Sequence, residues 1–249
     1  MANKAVLIIL LLLVVAGMAG GAYYFYVTEK QSEVPQTESG QIKLPADTIS
    51  TSGAESAAGA ADLTVQLKDC SQKHTEWNDV GGWRTNYLDR QAVKCEGENE
   101  VLSGFKLEAS GDKARYAYTC CNVVDSKNTK LTSSDAKTGD DDAGDWNTIY
   151  LDRHNVDCSG SVLGGFRAVA SYKPNKIRYD YSCKAAPSAV SWTCTDKSTN
   201  ADQESKNFNY LDRHDVKCAD DEVMSQFRLQ RVGDGKFKYA YKCCKPKAI

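Results

Sequence analysis

Histidine, methionine and proline are scarce in this sequence: 3 His, 3 Met and 5 Pro among 249 residues. So few imidazoles leave little for zinc sites, and the 10 cysteines therefore read as disulfides, which form and persist in oxidising compartments. Few prolines beside 41% hydrophobic and 26% charged residues exclude a chain that is disordered throughout. Charge of one sign is also lacking, since 31 Lys+Arg face 33 Asp+Glu for a formal net charge of −2. That balance argues against a nucleic-acid binder whose affinity comes from neutralising phosphates. No Asn-x-Ser/Thr sequon occurs, which argues against a heavily N-glycosylated eukaryotic surface protein. After residue 62 no segment carries a helical apolar stripe, so that part reads as all-β.

One long hydrophobic run is present, at the start. Residues Ala5 to Val27 contain no charge and follow Lys4. About 23 residues at 1.5 Å each make roughly 34 Å, enough to cross a hydrocarbon core. The run leaves through Tyr23, Tyr24, Phe25 and Tyr26, an aromatic belt suited to the headgroup level. Gly17-Met18-Ala19 offers a small-x-small cleavage site as a rival reading, but the length of the run and its aromatic exit favour an uncleaved anchor over residues 1–27. Lys4 sets the N-terminus inside. Membrane lipid is then the partner of residues 5–27, and everything beyond faces an oxidising or exterior compartment. Residues 28–62 have no aromatic side chain and carry six acids against two lysines. They cannot bury enough apolar surface to offset their ordering entropy and read as a flexible stalk.

The remainder, 63–249, is built from three repeats of about 60 residues, approximately 63–122, 123–185 and 186–249. Tyr87-Leu88-Asp89-Arg90 with Cys95 recurs as Tyr150-Leu151-Asp152-Arg153 with Cys158, and as Tyr210-Leu211-Asp212-Arg213 with Cys218. Gly104-Phe105 matches Gly165-Phe166 and Gln226-Phe227. Tyr116-Ala117-Tyr118 matches Tyr179-Asp180-Tyr181 and Tyr239-Ala240-Tyr241. The last two blocks alternate with period two and are joined by Gly111-Asp112, Lys173-Pro174 or Asp234-Gly235, the signature of a β-hairpin. The Tyr-Leu-Asp-Arg block reads as a strand before it, and a weaker strand such as Thr64-Val65-Gln66-Leu67 opens the repeat.

Comparing repeats also pairs the cysteines. The first holds Cys70, Cys95, Cys120 and Cys121, and the third holds Cys194, Cys218, Cys243 and Cys244. The second has only Cys158 and Cys183, with Lys184 where the others have a second vicinal cysteine. Two positions lost together point to partners, which gives Cys70–Cys121, Cys194–Cys244, Cys95–Cys120, Cys158–Cys183 and Cys218–Cys243. Adjacent strand residues face opposite ways, so Cys120 and Cys121 need different partners. A cross-repeat variant, Cys70–Cys244 with Cys121–Cys194, stays open.

The second repeat has a long polar opening and is too poor to fold alone. One disulfide-bonded body with pseudo-threefold symmetry is therefore expected, from about twelve short strands, as a β-prism or a β-trefoil. Cys95, then Gly-Phe-x-Leu, then a strand ending in Cys120 resembles the repeat of the egg vitelline-membrane outer-layer protein family. That resemblance covers 63–249 and implies a three-sheet β-prism. The family's Asp-Asp-Thr repeat is not kept; Asp140-Asp141-Asp142 is at best its remnant. The repeated Tyr-Leu-Asp-Arg on a single anchor is also similar to virion membrane or minor capsid proteins of large DNA viruses of algae and protists.

Candidate chemistry is sparse. His154 and His214 are equivalent, but the first repeat has Gln91 there, and His74 lacks a supporting signature, so a metal or acid–base role is not favoured. Asp89-Arg90, Asp152-Arg153 and Asp212-Arg213 could hold sugar hydroxyls, with Tyr87, Tyr150 and Tyr210 as stacking faces, or could pair as a structural network; the second is favoured. Asp140, Asp141, Asp142 and Asp145 read as a solvated acidic loop rather than a calcium site. The expectation is a non-enzymatic, membrane-anchored structural or interaction protein without cofactor, such as a virion minor capsid or envelope component tied to a coat, shell or surface layer. The alternative is a lectin-like glycan-binding module.

The anchor reading is tested by N-terminal sequencing and carbonate extraction. The mature chain should keep Met1 or Ala2 and stay with the membrane at alkaline pH. A chain beginning at Gly20 would identify a cleaved signal peptide instead.

Overall fold

Period-two sequences punctuated by tight turns build the same set of elements three times. The computed structural model describes residues 64–188 and 190–249. Its first repeat contains β1 (Val65–His74), β2 (Asn78–Asp79), a 3-10 helix (Thr85–Arg90), β3 (Ala92–Lys94), β4 (Glu100–Ser110) and β5 (Lys113–Asp125). The second contains β6 (Thr132–Lys137), β7 (Asp141–Asp142), a 3-10 helix (Thr148–Arg153), β8 (Asn155–Asp157), β9 (Val162–Tyr172) and β10 (Asn175–Ala185). The third contains β11 (Val190–Ser198), β12 (Asp202–Gln203), a 3-10 helix (Phe208–Arg213), β13 (Val216–Lys217), β14 (Val223–Gly233) and β15 (Lys236–Ala248). The anchor and stalk expected over 1–27 and 28–62 lie outside the described residues. No helix among the described residues is long and apolar enough to cross a membrane.

The Tyr-Leu-Asp-Arg block is not a strand. It forms the 3-10 helix of each repeat. Its apolar–polar alternation fits a strand, but the buried positions recur every third residue: Thr85, Leu88 and Gln91; Thr148, Leu151 and His154; Phe208, Leu211 and His214. Three residues per turn is the 3-10 period.

The strands form three separate sheets with an exchange. The first has the order β1-β5-β4-β13, the second β6-β10-β9-β3, and the third β11-β15-β14-β8. β2, β7 and β12 add a short pair to β5, β10 and β15. Every repeat thus gives one short strand to another sheet: β3 to the second, β8 to the third and β13 to the first. The exchange closes on itself, so no repeat has its full sheet alone. All three lie in one compact unit, Gly59–Ile249.

A bulge receives each donated strand. Ser103, Gly164 and Ser225 are extra residues in their hairpins, breaking the register of β4, β9 and β14. Their carbonyls accept the N–H of Cys218 (2.9 Å), Cys95 (2.8 Å) and Cys158 (3.0 Å), the residue after each donated strand. A bulge turns backbone groups out of the ladder, and here they dock the incoming chain. Two of the three crossings have a glycine at the closest approach, and the third has Gln226 there. A Cβ on Gly165 would lie 2.3 Å from the Val93 carbonyl, and one on Gly104 2.8 Å from that of Val216.

Five disulfides lock this arrangement. Cys95–Cys120, Cys158–Cys183 and Cys218–Cys243 each join the end of a donated strand to a long strand of the donor's own sheet. They therefore staple sheet to sheet. Cys70–Cys121 and Cys194–Cys244 join the opening strand to the last strand within one sheet. These are the within-repeat pairs, and the described cysteines leave none free.

The inner faces meet in an aromatic core. Phe105, Phe166 and Phe227 stand within 4.7–5.0 Å of one another, centroid to centroid. Tyr116, Tyr179 and Tyr239 surround them, each ring set edge-on to two phenylalanines at 5.6–6.3 Å. Edge-to-face pairs add to plain area burial. A second, smaller cluster gathers Val101, Val123, Leu131, Val162 and Val223 with Cys121 and Cys244. Register fixes the two ends: Val65 pairs with Asp125 and Val190 with Ala248 where the chain enters, whereas the hairpin turns lie at the opposite end. There the 3-10 helices close a backbone ring, Thr85 N–H to Trp146 O, Thr148 N–H to Lys206 O and Phe208 N–H to Trp83 O, at 3.0–3.1 Å.

Removing one ring tests this core. Phe166→Ala should destabilise the domain by about 3–5 kcal/mol, which is roughly 10 °C or more in melting temperature at this size. A loss below 3 °C by calorimetry would show that the triad is not the centre of the fold.

Candidate functional site

The repeated Tyr, Asp and Arg side chains sit on the 3-10 helices at the hairpin-turn end. Tyr87 packs on Gly81 and Tyr150 on Gly144, so closely that a Cβ on either glycine would fall 1.8 Å or 2.0 Å from the ring. Both glycines have positive φ, 48° and 50°, which only glycine adopts freely. The guanidinium of Arg90 lies 4.2 Å over the Tyr87 ring, Arg153 4.2 Å over Tyr150, and Arg213 4.1 Å over Tyr210. Arg90 and Arg153 also donate to the backbone carbonyls of Asp79 and Asp142, both at 3.3 Å, while Arg213 donates to the Asp202 carboxylate at 2.8 Å. A sugar would have to displace the chain's own arginine to stack on these rings.

The Asp-Arg neighbours do not pair with each other. Among the described residues no ion pair joins Asp89 to Arg90, Asp152 to Arg153 or Asp212 to Arg213. Consecutive residues of a 3-10 helix point about 120° apart, so each Arg reaches back to the preceding short strand instead. Burial raises the Asp89 carboxyl above its usual range, against the pull of Arg90, a hydrogen bond from Tyr172 and the charge of Arg167. The Asp152 carbonyl, not its carboxylate, accepts from Arg228 Nε at 2.9 Å.

His154 and His214 are buried, 1% and 2% exposed. Each belongs to a unit that the first repeat builds with Gln91. In all three a threonine hydroxyl accepts the backbone N–H of the core tyrosine: Thr75 from Tyr116, Thr138 from Tyr179 and Thr199 from Tyr239, at 2.9–3.0 Å. That hydroxyl donates to Gln91 Oε1 in the first repeat, and is hydrogen-bonded to Nδ1 of His154 or His214 at 3.0 Å in the others. Gln91 Nε2 donates to the Ala114 carbonyl at 2.9 Å, while both histidine Nε2 atoms are buried without a partner among the described residues. Burial lowers both histidines below the usual imidazole value. Asp141, Asp152 and Asp140 oppose this at His154 and Asp202 and Asp212 at His214, while Arg153 and Arg213 reinforce it. The threonines escaped the sequence comparison because no anchor block included them, although their spacing from the core tyrosine is nearly constant.

Lys184 fills the place of the missing disulfide. It is 6% exposed, and its ammonium donates to the carbonyls of Gly97 and, at 3.3 Å, Glu98 in the first repeat. Burial lowers its affinity for a proton, and Glu100 and Glu98 restore part of it. A cation on three neighbouring carbonyls, Cys95 included at 3.5 Å, replaces a covalent link with a contact between repeats.

The acidic segment is divided among arginines and backbone. Asp140 pairs with Arg178 at 3.0 Å and Asp145 with Arg84 at 2.6 Å. The Asp142 carboxylate accepts from Gly144 N–H at 3.0 Å, and Asp141 stands 3.9 Å from His154 Nδ1. No cluster among the described residues has three or more groups placed to hold a metal ion. Comparison of the chain with protein-family models, curated proteins and solved structures finds no match.

The histidines make stability depend on pH with a definite sign. Their folded-state affinity for protons is below the unfolded value near 6.5. Stability is therefore complete above about pH 6.5 and falls as the pH drops below it, by at most about 1.4 kcal/mol per unit for each histidine. Glu100 and Asp125, held below their usual range by Lys73 and Thr129, lose their contributions only in more acid solution. The melting temperature should hold level from pH 7.5 to about 6.5 and fall from there to pH 5. His154→Gln with His214→Gln, copying Gln91, should flatten that window, and an unchanged slope would show that other groups carry it.

Proposed function

We propose that this chain is a non-enzymatic, single-pass membrane protein that carries a rigid β-prism on a stalk and links the membrane to a protein layer, as a minor capsid or envelope component of a virion would. One observation carries the reading: the residues repeated in every unit are engaged by the chain itself. Tyr87 and Tyr150 rest on glycine and under arginine, and His154 and His214 are walled into the core. Repetition is thus explained by construction, with no substrate required. Three sheets facing a shared aromatic core favour the prism over the trefoil.

A lectin-like module is the second reading. What favours it is that Arg90 and Arg153 are exposed and form no ion pair among the described residues, unlike Arg213 with Asp202. Tyr150→Ala separates the two. On the scaffold reading it removes a half-buried ring between Gly144 and Arg153, costing about 2 kcal/mol and roughly 4–8 °C of melting temperature. On the lectin reading melting stays and glycan-array binding falls by about a third. Cross-linking of membranes followed by mass spectrometry should recover a single abundant coat or layer protein with the scaffold; recovery of glycoconjugates alone would promote the lectin.

A further inference from the structure

The outer face of the second sheet carries an open groove of about 670 Å³. Its floor is made of small side chains, Ala92, Gly165 and Ser182. Two rows of residues cross it from β3 to β6: Lys94, Gly165, Ser182 and Asp135 in one, and Ala92, Arg167, Asp180 and Lys137 in the other. Four strands at about 4.8 Å spacing make the crossing roughly 14 Å wide. Lys94, Arg167 and Lys137 form no ion pair among the described residues, whereas Arg178 at the groove's side is held between Asp180 (2.7 Å) and Asp140 (3.0 Å).

The other two sheets show what makes this face different. The matching groove measures about 390 Å³ on the first sheet and 270 Å³ on the third. On the third, Gln226 and Lys242 occupy the positions of Gly165 and Ser182. Gln226 binds Asn155 at 2.9 Å and Lys242 faces Asp196 at 3.7 Å, so that surface is closed by its own side chains. On the second sheet the same crossing is open, and its lining holds Lys94, Lys137, Arg167 and Arg178 against Asp135 and Asp180, with Asp180 bound to Arg178.

We propose that this groove binds an acidic polysaccharide, through carboxylate or sulfate groups held by Arg167, Lys137 and Lys94. Charge complementarity and a floor of small residues fit an extended, hydrated polyanion. The aromatic residues bordering the groove do not offer a stacking face: Phe166 is buried in the core triad and Tyr181 donates its hydroxyl to the Asp157 carbonyl at 3.2 Å. Neutral sugars, which rely on such faces, are therefore disfavoured. An acidic protein segment would want an apolar pocket for an anchor residue, which this charged face does not supply. The inference is independent of the scaffold reading, whose protein partner would be recovered whether or not the groove binds.

The test uses the full chain in detergent, with immobilised heparin and polygalacturonate as sulfate and carboxylate probes, and dextran and polyglutamate as controls. At least one acidic polysaccharide should bind, weaken with salt, and exceed both controls. Arg167→Gln with Lys137→Gln should weaken binding about tenfold or more, equivalent to about 1.4 kcal/mol, at an unchanged melting temperature. Lys106→Gln with Lys217→Gln, which removes two cations from the groove of the first sheet, should leave it within about twofold. Should the first pair lower the melting temperature, Lys137→Gln alone, on an exposed edge strand, is read in its place and should still weaken binding. No binding to either polysaccharide, equal binding to polyglutamate, or equal loss from both sheets would overturn the proposal.

Discussion

A strand of two or three residues, given by each repeat to another sheet, is the constraint on which the domain depends. So short a strand offers few ladder bonds and would not hold by pairing alone. Three further contacts fix it. Its central valine is buried, with Val93, Val156 and Val216 at 0–2% exposure. The next residue's N–H binds a bulge carbonyl. That same residue is a cysteine, bridged back to its own repeat. Each bridge closes a loop with a sequence separation of 25, worth about 3 kcal/mol or a little more by restricting the unfolded chain. Bulge, valine and disulfide are thus one device, used three times.

Closure also explains why the repeats need not be equally well made. The second lacks the opening-strand disulfide, and its opening strand β6 is polar and six residues long against ten in β1. Alone it would be marginal. Within the ring it receives β3 from the first repeat and gives β8 to the third, and Lys184 clasps the loop that follows β3. Weakness in one repeat is met by contacts from its neighbours. The second sheet also has the most voluminous of the three outer grooves, because the residues that close the third sheet's surface are absent there.

The hairpins and the cysteine partners are legible in the sequence because they are local facts. Alternation sets the faces of β4 and β5, and the joint loss of two cysteines from one repeat reveals which two belong together. The exchange is not legible, since Ala92–Lys94 carries the same alternation whether it pairs with its own hairpin or another. Only its geometry distinguishes them: the glycine at Gly104 and Gly165 makes room for a crossing backbone, and a glycine in a strand has several possible reasons. The 3-10 helices were missed for a related cause. Tyr-Leu-Asp-Arg satisfies period two over four residues, and the three-residue period emerges only when Thr85 and Gln91 are read with it.

The Gln91, His154 and His214 positions show how far equivalence in a repeat reaches toward function. A residue kept for catalysis would need its chemistry in each copy that works, and an amide cannot replace imidazole as an acid or base. Here the amide and the imidazoles do the same thing: each is hydrogen-bonded to a threonine hydroxyl whose oxygen takes the N–H of a core tyrosine. What they share is the hydrogen bond to threonine, and what differs is the capacity to take up a proton. The interchange therefore assigns these positions to the scaffold. It also places the titratable member of this unit only in the second and third repeats, beside the aromatic rings that hold the three sheets together. Protonation there would place a charge against Tyr179 and Tyr239, whose rings lie 5.9 Å and 5.8 Å from the imidazoles, at the inner surface where an uncompensated charge is most costly.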